Sequence, residues 1–109
     1  MKRYLSAAAA VSDLHMQGFT NDFQLLGNDL LLVQEGLLVR AGEFTIVKYH
    51  KIESQPSNMH DQFVFGIVAL YHDVKGILLN RFKNKKSMSP ILIKKLNELS
   101  KIYQYEQEN

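Results

Sequence analysis

Four histidines, eleven carboxylates and no cysteine set the chemistry open to this 109-residue chain. His15, His50, His60 and His72 never stand four residues apart, the spacing at which one helix face offers two imidazoles to zinc. The missing cysteines remove thiolate metal sites, thiol nucleophiles and disulfides together, and fit a reducing compartment. His60-Asp61 and His72-Asp73 are adjacent pairs in segments that read as loops, where two neighbours can share a metal. Exposed polar loop residues are the plainer reading. Glu43, Glu53 and Asp61 can approach one another around the long loop, but Ser57, Asn58, Met59 and His60 dilute its charge and weaken a cation site. No Gly-x-Ser-x-Gly marks a hydrolase nucleophile. The glycines at 18, 27, 36, 42, 66 and 76 are isolated, with no phosphate cradle. The expectation is therefore no metal, no cofactor and no enzyme.

The charge is more telling than its net value of +2. Between Val74 and Lys101 stand eight basic residues against Glu98 alone, while the rest carries five basic and ten acidic residues. Lys75, Arg81, Lys83, Lys85 and Lys86 are the anion-binding candidates. Their run leads into a helix N-terminus, where free backbone amides favour phosphate. A phosphorylated metabolite fits that chemistry, and nucleic acid is its bulkier version. No RNA-binding aromatic motif or helix-turn-helix signature accompanies the charge. The competing reading is a solvated edge whose lysines keep sheets from pairing.

The block from Leu14 to Phe23, with Gly42-Glu43-Phe44, Glu53 and Val74-Lys75-Gly76-Ile77-Leu78, resembles a group of bacterial proteins of about this length. Many of these carry the label "phosphoribosylpyrophosphate synthetase", although the group has no established activity. The resemblance spans Leu5 to Phe82, and its motifs are structural. In the group an acidic residue often stands where this chain has Ala9, and the loop after Glu53 is more acidic. Asp13-Leu14-His15 and Gln17-Gly18-Phe19 are similar to segments of true synthetases, which use the histidine near magnesium and nucleotide. Here His15 and Gly18 are too close, the acidic glycine-rich ribose-phosphate loop is absent, and the chain is far too short for two α/β domains. Phosphoryl transfer rests on positioning both substrates, so synthetase activity is the least expected function.

The elements that must position these residues are legible in part. Ser6 caps a helix over Ala7–Gln17, Gly18 closes it, and Phe19 folds back on its last turn. Strand one covers Phe23 to Gly27, and Gly27-Asn28-Asp29 turns the chain into strand two, Leu30 to Glu35. Leu37 to Val39 is a strand extension, a bulge or a turn. Phe44 tucks inward, and Thr45 to Glu53 is strand three, with Ile46, Lys48, His50 and Ile52 alternating on one face. Ser54 to Asp61 is the longest loop. Gln62 to Tyr71 is apolar on both faces, which places it centrally. His72-Asp73 turns into a last strand, Val74 to Phe82. Ser89 and Pro90 start the final helix, whose buried stripe is Leu92, Leu96, Leu99 and Tyr103.

The sum is one α+β domain over 1–109, with a core from about 5 to 103 and a loose tail from Gln104. Its expected architecture is a two-layer sandwich, a mostly antiparallel sheet of about five strands with both helices on one face. The uncovered face of the central strand then calls for self-association, as a homodimer. The leading function is a small non-enzymatic binding or interaction module, and the alternative is an anion binder using residues 75–86. The short alanine-rich start is followed at once by Asp13 and His15, unlike a signal peptide. No stretch is long enough to span a membrane, so the expected location is cytoplasmic.

Overall fold

The first helix is built by its ends. The computed structural model describes the backbone of residues 4, 6–52, 61–82 and 88–107, and the side chains of all of these except 61, 80–82 and 100–107. Helix α1 runs over Ala7–Met16, and the Ser6 hydroxyl accepts a hydrogen bond from the Ala9 amide at 3.1 Å. At the other end Gly18 takes φ +100°, a left-handed value that suits glycine. The amides of Gly18 and Phe19 then donate to the carbonyls of His15 and Leu14. This paired closure drops the Phe19 ring beside Leu14 in a shared apolar cluster.

Six strands follow: β1 (Asn21–Leu26), β2 (Asp29–Leu32), β3 (Leu37–Val39), β4 (Phe44–Ile52), β5 (Asp61–Ala69) and β6 (Val74–Phe82). Helix α2, Pro90–Gln107, ends the described chain. The strands form one sheet in the order β3-β2-β1-β6-β5-β4. Four of its pairings are antiparallel, and β1 runs parallel to β6 through Asn21↔Gly76 and Asp22↔Ile77. The sheet is therefore mixed and six-stranded, not a five-stranded antiparallel one. Leu37 to Val39 supplies the sixth strand by pairing with Leu30 to Leu32. The parallel pair arises because the chain's first and last strands meet in the middle of the sheet. Helix α2 continues past Gln104 to Gln107.

Chain length forces the sheet to coil. Val39 ends one edge strand and Phe44 begins the other, with only Arg40 and a 3-10 turn at Ala41–Glu43 between them. Five residue steps reach at most about 18 Å. Crossing five strand spacings of a flat sheet takes about 24 Å. The two edges must therefore curl toward each other, and the 3-10 turn bridges them. The Ala41 amide donates to Asp29 Oδ1 of β2 at 3.0 Å, and the Glu43 carbonyl accepts from the Leu70 amide beyond β5 at 2.8 Å.

The concave side holds the main core. Every strand contributes to it: Phe23, Leu30, Leu32, Val39, Phe44, Ile46, Phe63, Phe65, Ile67, Ala69 and Leu78. Helix α2 plugs it with Leu92 and Leu96, and Met88, just ahead of the helix, joins them. Lys95 fastens the plug, because its Nζ donates to the Phe44 carbonyl at 2.6 Å and stands 4.8 Å from the Phe44 ring centre.

Helix α1 lies on the opposite, convex face. There Ala10, Leu14 and Phe19 pack with Tyr4, Ile52, Val64 and Ile77. Val64 and Phe65 thus point to different helices, which corrects the expectation of both helices on one face. A coiled sheet encloses much of its concave core by itself. One helix completes that side, and the other is left for the outside. The alternation expected along β4 also breaks, because the register shifts between Ile46 and Lys48. Ile46 belongs to the concave core and Ile52 to the convex cluster.

Two glycines let aromatic rings lie flat on the central strands. A Cβ on Gly66 would sit 3.1 Å from Phe19 Cε1 on the convex side. A Cβ on Gly76 would sit 2.6 Å from Phe23 Cε2 and 2.8 Å from the Asn21 carbonyl oxygen. Close approach, already suggested by glycines in neighbouring strands, is what both positions provide.

Candidate interaction surface

Helix α1 is tied to one side of the sheet. The Tyr4 hydroxyl donates to Asp13 Oδ2, and Tyr4 itself bridges Ile52 at the free edge of β4. Lys48 Nζ of β4 donates to Gln17 Oε1. Asp13 and Gln17 therefore mark the flank of α1 that faces β4, and Ala8, Val11 and His15 lie toward β6 and β1. The contacts of α1 fall on β4, β5 and β6.

Over β1, β2 and β3 the convex face has no helix among the described residues. Phe23 and Leu25 of β1 point into the concave core, so Gln24 and Leu26 point out. In β2 the buried pair Leu30 and Leu32 leaves Leu31 on the outside. Leu38 does the same in β3, between Leu37 and the buried Val39. The register sets Gln24 beside Leu31 and Leu31 beside Leu38. Leu79 of β6 shares the face of Ile77. Exposure of 44% at Leu26, 43% at Leu38, 44% at Leu79 and 51% at Val33 makes this an aliphatic strip and not a scatter of single residues. The rim carries Asp22, Asp29 and Arg40. Gln34 trims one end, where its side chain exchanges hydrogen bonds with the amide and carboxylate of Asp22.

The described chemistry-bearing residues do not converge on one point. Among the described residues no three histidines and carboxylates stand close enough to hold a metal ion. His15 is exposed on α1, and His72 is exposed in the turn after β5. His50 packs its ring edge-on to Tyr4, centroids 4.9 Å apart at 72°. The Tyr4 hydroxyl is pushed up to about 12, first by burial and then by its hydrogen bond to Asp13 and that residue's charge. His60, Glu53 and the loop between them lie outside the described residues, as does the side chain of Asp61.

Of the anion-binding candidates, Lys75 is described. It is exposed on β6, with Nζ 5.7 Å from the centre of the Phe19 ring. Arg81 lies within β6, but its side chain and the whole of Lys83, Lys85 and Lys86 lie outside the described residues. A shallow depression runs along the outer side of α2, lined by Pro90, Ile93, Lys94, Asn97 and Glu98. Its titratable residues, Lys94 and Glu98, are both exposed.

Sequence reasoning missed the aliphatic strip. Leu30-Leu31-Leu32 and Leu37-Leu38-Val39 are unbroken apolar runs, so period-two alternation cannot sort inside from outside. The Tyr4–Asp13 pair was equally invisible, because the two stand nine positions apart with a helix start between them. No family model, no curated protein and no solved structure matches the chain.

Proposed function

We propose that this chain is a small non-enzymatic protein-interaction module whose contact surface is the open half of the convex sheet face. The observation that carries the reading is the convex row in which the exposed Leu79 and Leu38 flank Gln24 and the half-buried Leu31, with the exposed Leu26 and Val33 nearby, beside α1. Among the described residues, one face of the same sheet carries a helix over β4, β5 and part of β6 and none over β1, β2 and β3. Self-association, expected from the sequence for a bare central strand, moves with this correction to β1–β3. A second copy is then one possible occupant of the strip. No described helix is long and apolar enough to cross a membrane, which agrees with the cytoplasmic location we propose.

A photoreactive residue tests the reading. With benzoylphenylalanine in place of Leu38, irradiation of living cells is expected to yield discrete covalent adducts, and Leu31→Glu in the same chain should abolish them. The same probe at Glu98 is the control. An identical adduct pattern from both positions would contradict the proposal.

The charge asymmetry favours a second reading, a binder of phosphorylated metabolites or nucleic acid through Lys75, Arg81, Lys83, Lys85 and Lys86. That reading predicts binding that weakens steeply with salt and is lost when Lys85 and Lys86 are reversed to glutamate. Membership of the bacterial group that the chain resembles is proposed on the Leu14 to Phe23 block. Synthetase chemistry is not, since Asp13 is engaged by Tyr4 and His15 stands on the exposed side of α1.

A further inference from the structure

We infer that the occupant of the open strip is a single amphipathic helix from a partner protein, laid beside α1 with its aliphatic stripe on Leu26, Leu31, Leu38 and Leu79. The inference rests on the proposed contact surface and names what fills it.

The fold supplies its own measure. One helix, α1, roofs β4, β5 and β6 on this face. Among the described residues β1, β2 and β3 have no helix over them, and from the exposed Leu79 of β6 to β3 the sheet spans about 14 Å at the usual strand spacing. A helix with its side chains is about 10–12 Å across, so one fits and two do not. The flank of α1 that borders the strip carries the exposed Ala8, the half-buried Val11 and, near the helix end, the exposed His15. A small residue there allows a neighbouring helix to approach at the distance helices normally keep, about 8–10 Å between axes.

Area argues against a second copy in the same place. The strip is about 14 Å wide and, along the six residues of β1, about 20 Å long, or roughly 280 Å². A stable dimer buries about 800 Å² on each partner. Coiling makes matters worse for a copy, because two convex faces touch along a line and cannot stack flat. A helix lies along such a face and gains the α1 flank as a second wall. The occupant's chemistry follows: about three turns, with aliphatic residues at i, i+3, i+4 and i+7. The rim holds Asp22, Asp29 and Arg40, so it selects for no single sign of charge.

The test uses the full chain and two synthetic 14-residue peptides of identical composition. One places its leucines at helical spacing, and the other at every second residue. Amide chemical shifts are followed during titration, and sedimentation velocity reports the oligomeric state. The helical peptide is expected to shift the amides around Leu26, Leu31, Leu38 and Leu79 saturably. The strand-patterned isomer should bind at least tenfold more weakly, and Leu38→Glu or Leu26→Gln should weaken the helical peptide about tenfold while the spectrum keeps its dispersion. Equal binding of both peptides at these leucines would overturn the helix and leave the contact surface standing. So would a dimer of the chain alone that Leu38→Glu dissociates. Shifts confined to other residues, or no binding by either peptide, would overturn both.

Discussion

Replacing Gly76 with alanine should be one of the most damaging single-methyl changes this protein can suffer. The new Cβ would meet Phe23 Cε2 at 2.6 Å, Phe23 Cδ2 at 2.8 Å and the Asn21 carbonyl oxygen at 2.8 Å. Gly76 does not have a positive φ, so the conflict is steric and not conformational. One obstacle is a ring that can tilt. The other is the backbone of β1, and Asn21↔Gly76 is one of two register pairs that join the two halves of the sheet. Overpacking of this kind typically costs about 1–3 kcal/mol. Lower chain entropy of alanine in the unfolded state returns about 0.5–1 kcal/mol. Because backbone as well as ring must move, the steric cost falls near the top of that range, and the entropy return leaves a net loss of about 2 kcal/mol. For a domain of this size that lowers Tm by roughly 8–16 °C. Urea unfolding with a common m-value is the assay. Gly66→Ala is the internal comparison, because its nearest contacts are 3.1 Å to Phe19 and 3.3 Å to Lys48 Cβ, and it should cost clearly less. Adding Phe23→Leu to Gly76→Ala should show favourable coupling but incomplete rescue, since the Asn21 oxygen is still in the way. A Gly76→Ala protein within about 0.5 kcal/mol of wild type would refute the packing described for the β1–β6 seam.

Three further outcomes can be checked. Ser6→Ala removes the oxygen that accepts from the Ala9 amide and should cost about 1 kcal/mol, read as a lower urea midpoint, with Ser6→Asp close to wild type. Lys95→Met keeps the apolar stem but strips the Phe44 carbonyl of its donor, and should cost about 1–3 kcal/mol in the same assay. Tyr4 loses its proton near pH 10 when unfolded and near 12 when folded, so its contribution is complete below pH 10 and fades as pH climbs toward 12. The stability gap between wild type and Tyr4→Phe should therefore narrow across that window, whereas a constant gap would deny Tyr4 the raised value.

Local signals were legible in the sequence where a single residue type has one physical use. Ser6, Gly18 and Phe19 marked both ends of α1. Ser89 and Pro90 placed the start of α2, where the Ile93 amide donates to the Ser89 carbonyl. Glycine at the first central position of the Gly27-Asn28 turn, φ +60°, set the first hairpin. What failed was long-range. Nothing local tells β1 to run parallel to β6, because that pairing joins positions more than fifty residues apart. The two apolar faces of β5 were correctly seen, but both helices were assigned to one of them and a second copy to the other, whereas α1 and α2 take one face each. The error came from assuming a flat sheet, whereas the four-residue link from Val39 to Phe44 demands a coiled one. That link was in view, yet it constrains the fold only once β3 and β4 are known to be opposite edges. The open strip stayed hidden for a related reason: alternation cannot speak inside Leu30-Leu31-Leu32.

Thiol labelling addresses the open strip most directly, since the chain has no cysteine of its own to confuse the readout. Leu38→Cys and, as control, Glu98→Cys would be treated with a membrane-permeant maleimide, once as purified protein and once inside the cell. The account predicts fast labelling of both when purified, and slowing at position 38 alone in the cell, where a partner covers the strip. Position 38 reacting as fast in the cell as in isolation, relative to position 98, would contradict it.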